Sequence, residues 1–467
     1  MTAQNIQEAS QYSKGQKWSF GMGSFAQWFI NSAFTIWVFT YYFTVVGLNV
    51  GWYVLAAVIW TLWNAFNDPL IGYLSDRANT RWGRRKPFIM LGTIPIIILY
   101  IIIWIPPLPT AGNEIFTFLY LLLMLILYDT FYTMIALPYD SLFPELYTSV
   151  KERSQVNTIR QILAVVGLIA AALVPGLVVA GESEPLSVQM ISYLINGVIT
   201  STIIGISLLI SLKWGVKERK EFKLDYQQQP QFFESLLYSF KSKGFILYTI
   251  MFFLYEFIIL LLATLIQIFG RQVLGATPFQ TSVIMGIMYI VGLASVFLWK
   301  WLDVKVGSKV GYAIAIVAYF FASLPLMFVD SYLIAVFIAI LMGVGFGGLI
   351  YFIYLIIADV IDEDELKTGV RREGAFFGIT NFFMRLSMIL SIVTIGIVFV
   401  QVGWEDYDPL IDVTLALRFL FIVVPGIALG LSLICLYFFP YSKSYVQEMK
   451  IKLEQLHKEK GERTNTA

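Results

Sequence analysis

The chain of 467 residues contains one cysteine and one histidine, and only 13% of its residues are charged. Cys435 alone cannot form an intrachain disulfide, and His457 lies in a polar C-terminal segment, away from any proton relay inside a membrane. There is no phosphate-cradling glycine loop, no Cys/His cluster with metal spacing and no nucleophile triad. The sequence therefore predicts neither an enzyme nor an ATP-driven pump, with no cofactor and no nucleic-acid partner.

Apolar residues are abundant: 58% of the chain is hydrophobic, more than a water-soluble protein of this size can bury. Because a helix needs about 20 apolar residues to cross a bilayer, the runs of this length predict membrane spans. They indicate an all-α membrane protein with twelve transmembrane helices in two six-helix bundles. The runs are 19–45, 50–74, 88–106, 115–142, 157–181, 188–212, 245–269, 281–301, 309–329, 332–357, 374–403 and 412–440.

Lysine and arginine concentrate in alternate loops, whereas the opposite loops carry mostly acids. By the positive-inside rule, both termini are expected in the cytoplasm, beneath a plasma or inner membrane. Two bundles place a substrate site at their interface near the midplane. We expect the tail to be solvated, with a short charged helix as the alternative. The predicted segments are an N-terminal stretch 1–18, bundles 19–212 and 245–440, a linker 213–244 and a tail 441–467.

One face of the second run is polar, and it carries Trp60, Asn64, Asn67 and Asp68. A carboxylate inside an apolar span marks a transport site by default. Pro69 cannot donate the backbone hydrogen bond that the carbonyl of Ala65 would accept, so an oxygen is freed at this depth. Such oxygens suit a sodium ion, and a lone desolvated carboxylate can instead carry a proton. Both couplings stay open, as does a structural pairing of Asp68 with a neighbouring helix.

The fourth run repeats this pattern along one face, with Asp129, Thr133, Ala136 and Asp140. Pro138 again removes a backbone donor, so we expect both runs to be irregular helices beside a water-lined cavity. Asp129 is the deeper of the two acids. Asp140 is interpreted as a cytoplasmic gate or as a substrate contact.

Other spans carry charges and aromatic rings that suit a transport pathway. Arg385, with Asn381 one turn earlier, is a natural counter-ion for the buried acids, or it snorkels to the surface. Arg160 is interpreted equally as a substrate contact or a snorkelling side chain. Polar and aromatic groups inside spans suit uncharged, hydroxyl-rich solutes, although each ring can simply pack; they include Gln27, Trp28, Asn31, Trp60 and Tyr255. The turn after the second run is a predicted gate, with Asp76, Arg77, Arg84 and Arg85.

Three stretches resemble the melibiose permease-like family of glycoside-pentoside-hexuronide:cation symporters, in the major facilitator superfamily. They are Asn64-Ala-Phe-Asn-Asp68-Pro69 with the turn 83–87, 129–144 followed by Arg160, and 359–374 followed by Asn381 and Arg385. The resemblance implies a monomeric carrier that takes up a sugar or glycoside with H⁺ or Na⁺ by alternating access. A carrier of an amphipathic solute such as a lysolipid is one alternative, and a non-transporting sensor is another.

In that family the cation is held by two carboxylates of the second span, an asparagine between them and a threonine of the fourth span. The resemblance places these roles on Asn64, Asp68, Asn67 and Thr133. Because one carboxylate is replaced by Asn64, the resemblance favours a proton on Asp68 over sodium. The family's sugar-binding carboxylates match Trp28 and Ala136, so galactoside specificity is not expected here.

Overall fold

The structure is a computed structural model that describes residues 12–78, 80, 82–109, 114–147, 150–181, 183–216, 242–368, 373–408 and 410–466. Within these residues the chain is helical, and the only strand-like feature is a single bridge between Thr80 and Gly83. The helices are α1 Lys14–Thr40, α2 Val50–Arg77, α3 Lys86–Ile102, α4 Glu114–Leu146, α5 Val150–Val178, α6 Leu186–Ile210, α7 Lys243–Leu274, α8 Pro278–Val306, α9 Ser308–Ser323, α10 Tyr332–Thr368, α11 Glu373–Gln401, α12 Thr414–Phe438 and α13 Lys443–Thr466. Short π turns extend α1 and α6 and interrupt α12, at Tyr41–Val45, Ser211–Gly215 and Phe419–Val423.

Each of the twelve predicted runs falls on one of the helices α1 to α12, which confirms the all-α membrane class. Ten of the described helices are long and apolar enough to cross a membrane, and α3 is a shorter apolar helix. α1 is not among the ten, although it has 27 residues, because polar side chains such as Gln27 and Asn31 lower its hydropathy. α13 is the one polar helix of this set, with charged residues along its length.

Local sequence signals fix several helix ends. Ser13 and Gln16 form a capping box at the start of α1, where each side chain bonds the other residue's backbone N–H at 3.2 and 3.0 Å. The side chain of Asn49 accepts from the backbone of Gly51 at 2.8 Å and caps α2. α8 is followed by Gly307, whose φ of 83° ends the helix in a conformation that favours glycine.

The helices divide into two compact units. The first contains α1 to α6 with the segments Thr277–Ser282 and Gly403–Pro409, and the second contains the remaining helices, with α8 from Val283 onward. In the first unit α1 packs along α5, and α2 along α4; in the second, α9 packs along α10, and α7 along α11. The α1–α5 contact depends on Gly167, because a Cβ there would lie 2.6 Å from the backbone oxygen of Phe25. The exact bundle boundaries stay a prediction, and linker residues 217–241 lie outside the described part.

Two expectations from the sequence are wrong. α2 and α4 stay regular α-helices through Pro69 and Pro138, although irregular segments were expected. A proline removes only one backbone hydrogen bond, and the long packing of α2 against α4 supports the turns on either side.

The tail is also not a solvated segment, because residues 443–466 form α13. This helix is docked on the second unit, where Met449 and Leu453 are buried. Just before it, the buried hydroxyl of Tyr441 donates to Glu363 Oε2 at 2.5 Å. At its first residue, Lys443 Nζ donates to the carbonyl oxygens of Val304 and Lys305 at the end of α8, at 2.9 and 2.8 Å. Apolar burial and these polar contacts stabilise a helix that its charged composition alone does not favour.

Candidate cation and solute site

A polar cluster lies between α2 and α4 in the first unit, and it consists of Asn64, Asn67, Asp68, Asp129 and Thr133. Both asparagines donate to the carboxylate of Asp129: Asn64 Nδ2 to Oδ1, and Asn67 Nδ2 to Oδ2 at 3.0 Å. Thr133 Oγ1 donates to Asp68 Oδ1 at 2.9 Å. Four of the five side chains are buried and Asp68 is half-buried. The structure thus brings together five of the residues that the sequence proposed on these two helices.

Helical spacing explains how the polar cluster forms. Positions 64, 67 and 68 share one face of α2, and positions 129 and 133, one turn apart, share one face of α4. Beside the cluster, Trp63 Nε1 donates to Thr130 Oγ1 at 3.0 Å, a further hydrogen bond between the same helices. Polar groups on helices in an apolar environment hydrogen-bond across the helix interface, because lipid offers them no partner.

Two oxygens in the polar cluster lack a hydrogen-bond donor among the residues that the structure describes. They are Asn64 Oδ1 and Asn67 Oδ1, and the two side chains are only 4% and 1% exposed. Since both amide nitrogens face Asp129, both amide oxygens are turned away from it. A buried acceptor without a partner costs about 1–3 kcal/mol, so such an oxygen points to a missing ligand. Hard cations take oxygen ligands of this kind.

Arg160 lies in a second cluster of the first unit, formed by α1, α4 and α5. Its guanidinium pairs with the carboxylate of Asp140 and donates to Ser24 Oγ at 3.0 Å. It also lies over the rings of Phe143 and Tyr139, at 4.6 and 5.3 Å from their centroids. The sequence proposed Arg160 and Asp140 separately, and the structure joins them in one ion pair. Sequence reasoning missed Ser24 and Tyr139, since neither stands out among the many hydroxyl and aromatic residues.

The predicted solute-binding residues of α1 divide between buried and exposed positions. Gln27 is buried and its Nε2 donates to the backbone oxygen of Ala136 at 3.3 Å, so these two predicted residues meet. Trp28 is 48% exposed and Asn31 is also exposed. Trp60 on α2 is half-buried.

The remaining predicted residues lie on α7, on α11 and around the turn between α2 and α3. Arg385 is half-buried and Asn381 exposed on α11 of the second unit, so the counter-ion role of Arg385 stays a prediction. Tyr255 on α7 is buried against apolar neighbours that include Ile258 and Leu349. In the predicted gate, Arg84 is half-buried and Arg85 is buried at the start of α3. The side chains of Asp76 and Arg77 lie outside the described part of the chain.

A buried ion pair near the start of α1 was not expected from the sequence. Lys17 Nζ lies 3.2 Å from Glu152 Oε1, and both side chains are less than a tenth exposed. Lys17 Nζ also donates to Gln155 Oε1 at 3.0 Å, and the backbone N–H of Tyr12 donates to Glu152 at 3.3 Å. The pair ties α1 to the beginning of α5.

A sequence profile of the family described as MFS/sugar transport protein matches residues 19–443. The chain belongs to this family. A symporter of Synechocystis sp., named uncharacterized symporter sll1374, is 24% identical, over 94% of this chain and 96% of its own length. The sodium-dependent lysophosphatidylcholine symporter 1-A of Danio rerio is 23% identical, over 80% of this chain and 76% of its own length. The isoprimeverose transporter of Lactiplantibacillus pentosus is 24% identical, over 95% of this chain and 91% of its own length.

Solved structures show the same fold at low sequence identity. The nucleoside transporter NupG superposes with a TM-score of 0.66 at 16% identity, covering 91% of this chain and all of that one. A bacterial homologue of the human lysosomal transporter Spinster superposes with a TM-score of 0.64 at 14% identity, covering 96% of this chain and 99% of that one. Together with the family match, these likenesses identify the chain as a multi-pass membrane transporter of the major facilitator fold and not an enzyme.

Proposed function

We propose that the protein is a secondary active symporter that moves an organic solute together with Na⁺, and that the polar cluster between α2 and α4 binds the ion. The observation that carries this proposal is the pair of buried amide oxygens, Asn64 Oδ1 and Asn67 Oδ1, which have no donor among the described residues. A proton on Asp68 would supply a single O–H donor, so at least one of the two oxygens would still lack a partner. A sodium ion would accept both as ligands, together with Asp68 and the hydroxyl oxygen of Thr133. The proton, favoured by the sequence, is the alternative that the same experiment tests.

Asp68 is the coupling group in this mechanism. Its carboxylate is half-buried and already accepts a hydrogen bond from Thr133, so an arriving cation meets a preoriented negative charge. Cation binding neutralises that charge, which changes the relative free energies of the conformations that the carrier visits. Arg385 is the proposed counter-ion in the empty carrier, and the cation would take its place. No resident cofactor takes part, and a monomer is sufficient.

A sugar or glycoside is the solute that we propose. The family description and the name of the Lactiplantibacillus pentosus relative both support a sugar. On α1, the exposed ring of Trp28 lies close in sequence to the amides of Gln27 and Asn31, and sugars are bound by such stacking faces and neutral hydrogen-bonding groups. A lysolipid is the second candidate, because the Danio rerio relative is named a lysophosphatidylcholine symporter. The name of that relative also supports sodium as the coupling ion.

The test is transport into proteoliposomes that contain a pH-sensitive dye. Glycosides, pentosides, hexuronides and lysolipids are each added with an inward Na⁺ gradient and, separately, with K⁺ in its place. We expect uptake of a sugar that requires Na⁺ and leaves the internal pH unchanged. Internal acidification without Na⁺ would replace sodium by a proton and leave symport intact. Absence of counterflow for every solute would instead identify a sensor.

The variant Asp68→Asn tests the coupling group. We expect it to abolish uphill accumulation of the solute and to leave downhill exchange measurable, because exchange does not need the coupling charge. Glu448→Gln is the matched control, since Glu448 is an exposed carboxylate on α13, 64% accessible, that pairs only with a neighbouring lysine in the described structure. Full accumulation by Asp68→Asn would remove Asp68 from the mechanism.

A further inference from the structure

Asp129 is the second carboxylate of the polar cluster, and its contacts differ from those of Asp68. Both of its oxygens accept amide N–H groups, from Asn64 and from Asn67, and Asn67 Nδ2 also reaches the backbone oxygen of Asp129 at 3.3 Å. Its side chain is 3% exposed. A buried carboxylate needs such donors to remain charged, so the two amides compensate the cost of burying it.

We propose that Asp129 is a positioning residue of the cation site, which orients the amides of Asn64 and Asn67 so that their oxygens face the ion. The inference rests on the proposed sodium site. An asparagine side chain has two nearly equivalent orientations, with either the oxygen or the NH₂ group toward a given point. The carboxylate of Asp129 accepts hydrogen bonds but offers none, so it selects the orientation with nitrogen toward α4. The oxygens are thereby turned the other way in both residues.

Asp129 also supplies charge to a site that would otherwise hold one carboxylate. Position 64 of α2 carries a neutral amide, and the negative charge that it lacks lies directly across from it on α4, at hydrogen-bond distance. The cation therefore meets Asp68 as a ligand and Asp129 behind the amides. Removing a group that orients metal ligands typically lowers metal affinity about 10- to 100-fold, which sets the expected size of the effect.

The direct bond between Asn64 and Asp129 allows the two residues to be exchanged. Asn64→Asp combined with Asp129→Asn keeps one amide and one carboxylate in the pair and leaves the net charge unchanged. It moves the carboxylate from α4 to α2. Asn64→Asp alone places two carboxylates in contact, so one of them will take up a proton. Asp129→Asn alone leaves three amides, and no carboxylate fixes the orientation of any of them.

The experiment measures the half-saturating Na⁺ concentration for thermal stabilisation of the full-length purified protein, with Li⁺ and K⁺ in parallel. We expect Asp129→Asn to raise this concentration about 10- to 100-fold. The exchanged pair keeps the charge but has no carboxylate at position 129 to orient Asn67, so we expect it to stay more than about 3-fold above the original protein, which is roughly 0.7 kcal/mol. Glu448→Gln again serves as the control. A purely structural role would lower the melting temperature without changing the Na⁺ dependence.

The outcomes separate the two proposals. If the unmodified protein shows no Na⁺ response, the sodium site is wrong and this inference is wrong with it. If the unmodified protein responds and Asp129→Asn responds at the same concentration, the site stands and the positioning role is overturned. Should Asp129→Asn fail to fold, the exchanged pair decides alone: a raised half-saturating Na⁺ concentration in it supports the role, and the same concentration as in the original protein overturns it, because the charge alone would then suffice.

Discussion

The buried ion pair between Lys17 and Glu152 offers a quantitative prediction about stability. Both side chains are less than a tenth exposed and their charged atoms are 3.2 Å apart. Lys17→Met removes one charge and leaves the carboxylate of Glu152 buried, which typically costs about 3–5 kcal/mol. Glu152→Gln leaves the ammonium of Lys17 buried and should cost a similar amount. In the double variant both charges of the pair are gone, so the loss in unfolding free energy should be well below the sum of the two single losses.

The assay is SDS titration of the purified protein in mixed micelles, followed by tryptophan fluorescence, for the original protein and the three variants. The double-mutant cycle yields the interaction free energy, which we expect to be at least about 2 kcal/mol for a pair at this depth. Lys452→Met is the control, because its partner Glu448 is exposed and surface pairs contribute about 0–1 kcal/mol. Additive losses at Lys17 and Glu152 would refute the idea that the two charges compensate each other.

Two further predictions concern packing and docking. Gly167→Val should separate α1 from α5 and lower the free energy of unfolding by about 1–3 kcal/mol, because its Cβ would meet the backbone of Phe25. Gly430→Ala should be tolerated, since nothing lies within 4 Å of that position. Thermal unfolding and transport activity are measured for both variants, and equal losses in the two would contradict the packing argument. Tyr441→Phe should weaken the docking of α13 by about 1.5–3 kcal/mol, because it removes a buried hydrogen bond to a carboxylate. The rate at which a protease cleaves the C-terminus measures this, and an unchanged rate would show that the bond is dispensable.

Most of the fold could be predicted from the sequence, because membrane spans depend on composition over about 20 residues and not on distant contacts. The spacing of Asn64 and Asp68 on one helix, and of Asp129 and Thr133 on another, also follows from helical periodicity. What the spacing does not contain is the register between α2 and α4, which decides that Asn64 faces Asp129 while Asp68 faces Thr133. The direction of the asparagine oxygens follows only from that register.

Other features depended on contacts that the sequence does not display. The prolines at positions 69 and 138 each lack a backbone N–H, which suggested irregular helices there, but a single lost hydrogen bond is outweighed by packing along the whole helix. Arg160 and Asp140 are twenty positions apart, on different helices, so neither identifies the other before the chain is folded. The charged tail gave no apolar signal strong enough to predict docking, because only a few residues, such as Met449 and Leu453, are buried.

The docked α13 has a practical use in spectroscopy. It is a helix of 24 residues, which corresponds to roughly 36 Å of rigid length attached to the second unit. Its side chain at Lys452 is 61% exposed, whereas the chain's single thiol, Cys435, is partly buried and is removed by Cys435→Ser. A spin label or fluorophore at Lys452→Cys would therefore be attached to a rigid helix that is part of the native protein. Distances measured from it to a second label on the first unit would report the transport cycle of single molecules directly.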